Sequence, residues 1–274
     1  MPAPTNTPDA GPRQRPRWLD AGTHARIACA DWLDAAPDLA PASVGLLYAD
    51  PPFNTGRDQA AHAGAYADRW ATPDAHAAWL RERLERSLPA LTPDANILIH
   101  VDWRSSHHVR TLLDDLLGPD RFVNHLIWSY GLGGSSPRRF ARKHDDILYY
   151  CLHPDRHYFN PPMVPATSRR MRGQRKKATD VLDIPAINNM SHERCGWPTQ
   201  KPLALLSLLV EACSPPGAAV LDPCCGSGTT LVAARMIGRT AWGVDTHPDA
   251  ARIARERLLA LVPSTERSER DRTS

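Results

Sequence analysis

Apolar and polar positions alternate between two regimes along the chain. Short unbroken apolar runs sit at Leu46–Ala49, Asn96–Val101, Ala218–Asp222 and Thr240–Val244. Each is four to six residues long and bounded by turn residues, the pattern of strands buried on both faces. Arg26–Asp31, Phe122–Trp128 and Asp146–Leu152 have strand-like composition as well. Between them, helical spacing recurs. His76–Leu88 places Trp79, Leu80, Leu84 and Leu88 on one face before Pro89, and Ser105–Leu117 stops at Gly118-Pro119. Further helices are expected over Leu203–Cys213, Leu231–Ile237 and Ala250–Leu261. Strands alternating with helices imply an α/β domain with a largely parallel sheet.

Two strand ends carry chemistry. The first apolar run breaks at Asp50-Pro51-Pro52-Phe53, where two prolines end the strand and force a turn. Open α/β sheets bind ligands at such carboxyl ends. The turn offers a carboxylate, proline carbonyls and an exposed aromatic face, a set suited to a planar group bearing an –NH2. Asn54 to about Ala67 is expected to be a mobile loop beside it. The second strand end is Asp222-Pro223-Cys224-Cys225-Gly226-Ser227-Gly228-Thr229-Thr230, followed by a helix and a strand ending at Asp245. This is a nucleotide-binding βαβ pattern. Gly226 permits the tight turn, Gly228 lets a ligand approach the helix amino terminus, and Asp245 is placed to hold two ribose hydroxyls. A dinucleotide fingerprint would need glycine where Leu231 stands, and no P-loop lysine follows. The ligand expected is an adenosine without a pyrophosphate, a description S-adenosylmethionine meets.

Composition narrows the class. The chain has 274 residues, 42% hydrophobic and 23% charged, ordinary for a globular protein. No stretch is long and apolar enough to span a membrane, and the amino terminus lacks a secretory core, so a cytoplasmic, nucleoid-associated protein is expected. The six cysteines show no Cys-x-x-Cys spacing, so neither a disulfide framework nor a metal site is expected. The net charge of +3 is unevenly distributed. Arg138, Arg139, Arg142 and Lys143 crowd behind a glycine-rich loop. Arg169, Arg170, Arg172, Arg175, Lys176 and Lys177 form a second run with no acid among them. Such clusters suit a polyanion. The expected organisation is a disordered tail over residues 1–18, one catalytic domain over 19–262 with a basic irregular insertion at 131–197, and a second disordered tail over 263–274.

Taken together, the two turns, with Pro198-Thr199-Gln200-Lys201-Pro202 upstream of the second, resemble the amino-methylating DNA methyltransferases. With the Asp-Pro-Pro-Phe turn first and the glycine turn last, the order is similar to that of their beta group, a circularly permuted arrangement. Val101–Arg104, Lys143–Tyr150 and Glu193–Pro198 extend the resemblance, which runs from about Arg26 to Leu261. It implies the S-adenosylmethionine-dependent methyltransferase fold, with a seven-stranded, mostly parallel sheet and helices on both faces. It further implies double-stranded DNA as substrate, a flipped target base, frequent homodimers, and leaves a restriction endonuclease partner open. By the resemblance, Asp50, Pro51, Pro52 and Phe53 form the target-amine site. Asp222, Pro223, Cys224, Gly226, Ser227, Gly228, Thr229 and Asp245 line the cofactor pocket. Thr199 and Lys201 approach the cofactor's carboxylate end, Asp31 its adenine, and the basic insertion is the target-recognition region. Two departures stand out: Ala30 replaces the family's usual glycine, and Cys224 replaces a phenylalanine that packs on the cofactor. Asp as first residue of the turn favours the N6 amine of adenine over the N4 amine of cytosine. An RNA amine, and a non-catalytic DNA-binding module that keeps the fold, are the rival readings.

Overall fold

The computed structural model describes residues 15–61, 64–66, 68–131, 135–166, 169–188 and 191–261. In chain order the strands are β1 (Trp18–Asp20), β2 (Ala25–Cys29), β3 (Val44–Ala49), β4 (Gln59–Ala61), β5 (Gly64–Tyr66), β6 (Leu91–Val101), β7 (Phe122–Ser129), β8 (His144–Cys151), β9 (Met163–Pro165), β10 (Arg175–Lys177), β11 (Val181–Asp183), β12 (Ala219–Asp222) and β13 (Thr240–Asp245). The helices are α1 (Trp32–Ala35), α2 (Pro73–Ser87), α3 (Ser106–Leu117), α4 (Leu203–Cys213), α5 (Thr229–Met236) and α6 (Pro248–Ala260).

One sheet organises the molecule, in the order β1-β2-β13-β12-β3-β6-β8-β7-β11. Strands β2, β13, β12, β3 and β6 pair in parallel, while β8 runs antiparallel to both β6 and β7. All six residues of β3 are buried, as a central parallel strand requires. Its alternation sends Leu46 and Tyr48 to one face, with Leu205, Leu209 and Leu231 of α4 and α5. Leu47 and Ala49 go to the other, with Leu80, Leu84, Val109 and Leu113 of α2 and α3, and Val44 joins them because the register shifts between Val44 and Leu46. The result is helix layers on both faces of a sheet.

Local chemistry sets the helix starts. Thr72 caps α2, its hydroxyl accepting the Ala75 N–H at 3.1 Å, and Pro73 occupies the first turn. Pro248 does the same for α6 after His247.

Several expectations change. The sheet has nine strands where seven were expected, because the short strands β1 and β11 extend the two edges. Trp18 belongs to β1, paired with Ala28, so ordered structure includes it rather than assigning it to a tail. Residues 1–14 and 262–274, where the expected tails fall, lie outside the described residues. The interval 131–197 is not one insertion, since β8 within it is a full member of the main sheet. The basic residues therefore fall on two separate excursions, the β7–β8 connection and the segment after β8. The latter carries the β9–β10 hairpin and returns through β11 alongside β7. Within the stretch after Phe53 expected to be a mobile loop, the β4–β5 hairpin forms.

Candidate functional site

Strand order explains where the two turns lie. After β3 the chain crosses to β6 on one side; after β12 it crosses to β13 on the other. β3 and β12 are adjacent, with Leu47 opposite Leu221, so the crevice opens between their carboxyl ends. The Asp50 turn and the glycine turn leave those two ends. Both line one cleft of about 350 Å³, with Asp31, Tyr48, Asp50, Pro52, Thr199, Lys201, Asp222, Pro223, Cys224, Gly226, Ser227, Thr229 and Asp245 in its wall. That volume suits a nucleoside-sized ligand.

At the β3 end, Lys201 donates to Asp50 Oδ2 at 2.5 Å, a contact between residues far apart in the chain. Its ammonium is thus committed to Asp50, where the sequence reading aimed it at a cofactor carboxylate. The second carboxylate oxygen, Asp50 Oδ1, is buried and has no hydrogen-bond partner among the described residues. A buried unpaired acceptor is costly, so this one marks a place where a donor belongs. The Pro52 carbonyl lies 2.8 Å from His76 Nε2. Burial lowers the His76 pKa, favouring the neutral ring.

Phe53 is half-buried rather than openly displayed and is not part of the cleft wall. Its ring stacks on His100 at 5.9 Å, and Lys201 Nζ lies 5.2 Å from its centroid. His100 is fully buried, its Nδ1 2.8 Å from the Tyr48 hydroxyl and its Nε2 3.3 Å from Asp145.

At the β12 end, Asp222 is 2% exposed. Burial pushes its carboxyl up to about 7; the Thr230 hydroxyl and the Cys224 N–H oppose the rise, and the charges of Asp50 and Asp245 add to it. Asp245 is raised by burial, with the His247 and Gly226 N–H groups pulling it back. Those two N–H groups donate to its carboxylate at 2.9 and 2.8 Å, so Asp245 braces the glycine turn. The Cys224 and Cys225 thiols are pushed up by burial, so both are protonated fillers. Asp31 caps α1 by accepting the Leu33 N–H, and both its carboxylate oxygens accept from Nη2 of buried Arg83, at 2.8 and 2.7 Å.

The glycines divide by role. A Cβ on Gly226 (φ +49°) would lie 2.9 Å from Trp197 Nε1. A Cβ on Gly228 (φ +74°) would lie 2.6 Å from the Ala254 Cβ, so this glycine admits helix α6, and it is not part of the cleft wall. Pro51 is buried and likewise absent from the wall. Sequence reasoning missed Trp32, Tyr66, Trp70, Trp79 and Arg83, all of which line the cleft. Trp79 and Arg83 stand four apart on α2, with the guanidinium 4.1 Å from the ring, a spacing that could have flagged them. The Tyr66 hydroxyl lies 3.3 Å from that of Thr199, whose backbone adopts φ +56°.

The basic residues stand apart from the cleft. Arg138, Arg139, Arg142 and Lys143 are exposed on the β7–β8 connection, with Arg142 3.3 Å above the Trp103 ring and Lys143 donating to the Gly131 carbonyl at 2.9 Å. Arg169, Arg170, Arg172, Arg175 and Lys177 are exposed and Lys176 half-buried on the second excursion. The described residues contain no cluster able to hold a metal ion and no helix long and apolar enough to cross a membrane.

The sheet order and the cleft at its switch point define the class: the S-adenosylmethionine-dependent methyltransferase fold. Solved structures similar in fold include the M1.HpyAVI–SAM complex (TM-score 0.62, 20% identity, 85% of this chain and 98% of that one). The PvuII cytosine-N4-specific DNA methyltransferase is similar as well (TM-score 0.65, 14% identity, 89% and 90%). The family follows from sequence. The model of the N6/N4 DNA methylase family matches residues 44–256, and the chain belongs to that family of amino-methylating DNA methyltransferases. Among relatives, the Type II methyltransferase M.HpaI of Haemophilus parainfluenzae is 28% identical over 85% of this chain and 74% of its own length. M.ScaI of Streptomyces caespitosus is 32% identical over 53% of each chain.

Proposed function

We propose that the chain transfers a methyl group from S-adenosylmethionine to the exocyclic N6 amine of an adenine flipped out of duplex DNA. The observation that carries the reading is the shared cleft, with Asp50 Oδ1 buried and unpaired at one end and the glycine turn at the other. The residues present fit this cofactor. Asp222 and Asp245 bring negative charge to a cleft whose other two carboxylates, Asp31 and Asp50, already hold a cation each. When bound, S-adenosylmethionine supplies an electrophilic methyl group on a positively charged sulfur. Asp222, Pro223, Cys224, Gly226, Ser227, Thr229 and Asp245 would hold it, with Asp31 and Thr199 at its ends, and Gly228 supporting the turn from behind.

An aromatic amine is a weak nucleophile because its lone pair is delocalised into the ring. Asp50 Oδ1 accepts one amine hydrogen. The Pro51 carbonyl, which no group among the described residues engages, accepts the other, whereas the Pro52 carbonyl is held by His76. Two acceptors on one amine favour a pyramidal nitrogen and free its lone pair. Positive charge then develops on nitrogen beside Asp50, which stabilises it electrostatically, and the strongly acidic N-methylated ammonium afterwards releases its proton to solvent. Lys201 orients Asp50 through the opposite oxygen. Phe53, backed by His100, offers a stacking surface for the flipped base. The exposed arginines and lysines of the two excursions neutralise phosphates along the duplex.

Asp as first residue of the Asp50 turn supports adenine. Nucleoside mass spectrometry of DNA from a methylation-free host expressing the chain tests this: N6-methyladenine is expected, and N4-methylcytosine would move the assignment to the other amine. Asp50→Ala should abolish transfer while leaving cofactor binding intact. Transfer at a near-normal rate in that variant would remove Asp50 from the mechanism.

A further inference from the structure

The β7–β8 connection carries a side chain for which the chemistry above has no use. Phe140 is 97% exposed, whereas Phe53 and Phe122 are half-buried and Phe159 is 49% exposed. Arg138 and Arg139 precede it, Arg142 and Lys143 follow it, and no acid interrupts the run from Pro137 to His144. A fully displayed apolar ring among cations is complementary to one kind of surface, a polyanion with flat apolar faces between its charges.

Topology places this ring on the cleft side of the sheet. β8 runs antiparallel to β6, with His100 opposite Ile147 and Val101 opposite Asp146, so β8 begins at the edge where β3 and β6 end. The base of the connection is tied to the Asp50 turn by a short chain of contacts. The Tyr130 hydroxyl donates to Asp145 Oδ1 at 3.4 Å, Asp145 Oδ2 lies 3.3 Å from His100 Nε2, and His100 stacks beneath Phe53. On its far side Arg142 is pinned over Trp103, which follows β6 directly. Phe140 therefore stands two residues before an anchored side chain, on a connection that leaves and re-enters the sheet at the edge carrying the Asp50 turn.

Resting on the flipped-base reading of methyl transfer, we propose that Phe140 is the wedge that enters the base stack where the target nucleotide leaves it. Extrusion of a nucleotide leaves a gap that costs stacking, and an apolar ring refills that gap. Arg138, Arg139, Arg142 and Lys143 hold the phosphates on either side. Phenylalanine has no hydrogen-bonding group with which to distinguish base edges, so Phe140 assists extrusion and not sequence recognition. It is a positioning residue, acting on the reacting amine through the DNA.

The test compares wild type, Phe140→Ala, Phe140→Leu and Phe140→Trp on unmethylated genomic DNA with labelled S-adenosylmethionine. It measures kcat and KM for DNA, direct DNA affinity and thermal midpoint. The wedge predicts that Phe140→Ala lowers kcat by about tenfold or more, the worth of one lost base–aromatic stack. DNA affinity and thermal midpoint should hardly change, Phe140→Trp should keep the wild-type rate and Phe140→Leu should fall between. An unchanged kcat in Phe140→Ala overturns the proposal, as does a loss confined to DNA affinity or a failure of Trp to sustain the rate. A wild type that transfers no methyl group to duplex DNA defeats the underlying reading and the wedge with it.

Discussion

Replacing Asp222 with Asn should change how stability depends on pH, and the structure sets both sign and size. Asp222 is buried, and its carboxyl is pushed up to about 7, chiefly by the loss of water around it. In the unfolded chain it returns to the ordinary aspartate value. A raised carboxyl stabilises the fold while it is protonated, so its contribution is complete below the unfolded value. It is lost as pH rises through about 7. Between pH 5 and pH 8 the wild type should lose roughly 3 kcal/mol relative to Asp222→Asn, in which nothing titrates at this position. For a domain of this size that corresponds to about 5–10 °C in thermal midpoint. The assay is urea or thermal unfolding of both proteins at half-unit pH steps, without cofactor, read as the difference between the two curves. Taking the difference cancels titrations shared by both proteins. A positively charged ligand beside Asp222 favours the carboxylate, so saturating S-adenosylmethionine should flatten the difference curve, and S-adenosylhomocysteine, which lacks the sulfonium charge, should flatten it less. A difference curve that is flat without ligand would refute the argument, because its sole premise is that burial of this carboxyl outweighs its hydrogen bonds to Thr230 and the Cys224 N–H.

Other perturbations probe separate parts of the molecule. Gly228→Ala places a methyl group 2.6 Å from the Ala254 Cβ at a left-handed backbone position, and should destabilise by roughly 2–4 kcal/mol in urea unfolding. An unchanged midpoint would mean that α6 yields freely. Lys201→Met strands a half-buried carboxylate and should cost about 1–3 kcal/mol of stability. It should also lower kcat more than it raises KM for S-adenosylmethionine in steady-state assays; a change confined to cofactor KM would instead place Lys201 at the cofactor's carboxylate. Replacing Arg175, Lys176 and Lys177 together by Ala should reduce the salt dependence of DNA affinity by about 2–3 in log–log slope, with cofactor affinity unchanged. An unaltered slope would take β10 off the DNA.

How much of this was legible in the sequence depends on how local the information is. β3, β12 and α4 were readable because each is an apolar run ended by proline or glycine, and those features act within a few residues. The glycine turn and Asp50 turn were readable for the same reason. That they face one cleft was expected only through the family resemblance, since local patterns do not show that β3 and β12 are neighbours in the sheet. The Lys201–Asp50 contact is a product of the same distant pairing. The packing of Ala254 against Gly228 was not legible, because a sequence cannot say whether a glycine yields space to a ligand or to another helix. α1 is a single turn, too short for periodicity to register, and it exists because Asp31 caps it and Arg83 holds Asp31. The insertion looked continuous because β8 lies between two basic stretches, and its place in the sheet is set by pairing with β6 and β7.

The direction of β8 has a consequence for how such a protein diverges. Because that strand opposes its neighbours, the segments entering it and leaving β7 are anchored by ladder hydrogen bonds on the same side as the reacting groups, yet contribute no backbone to β3 or β12. Chain can be lengthened, shortened or exchanged there without moving a catalytic carboxylate, since the sheet beneath is already closed by other strands. We expect that exchanging the residues around Phe140 in this connection alters contacts with DNA while leaving Asp50 and the glycine turn in place.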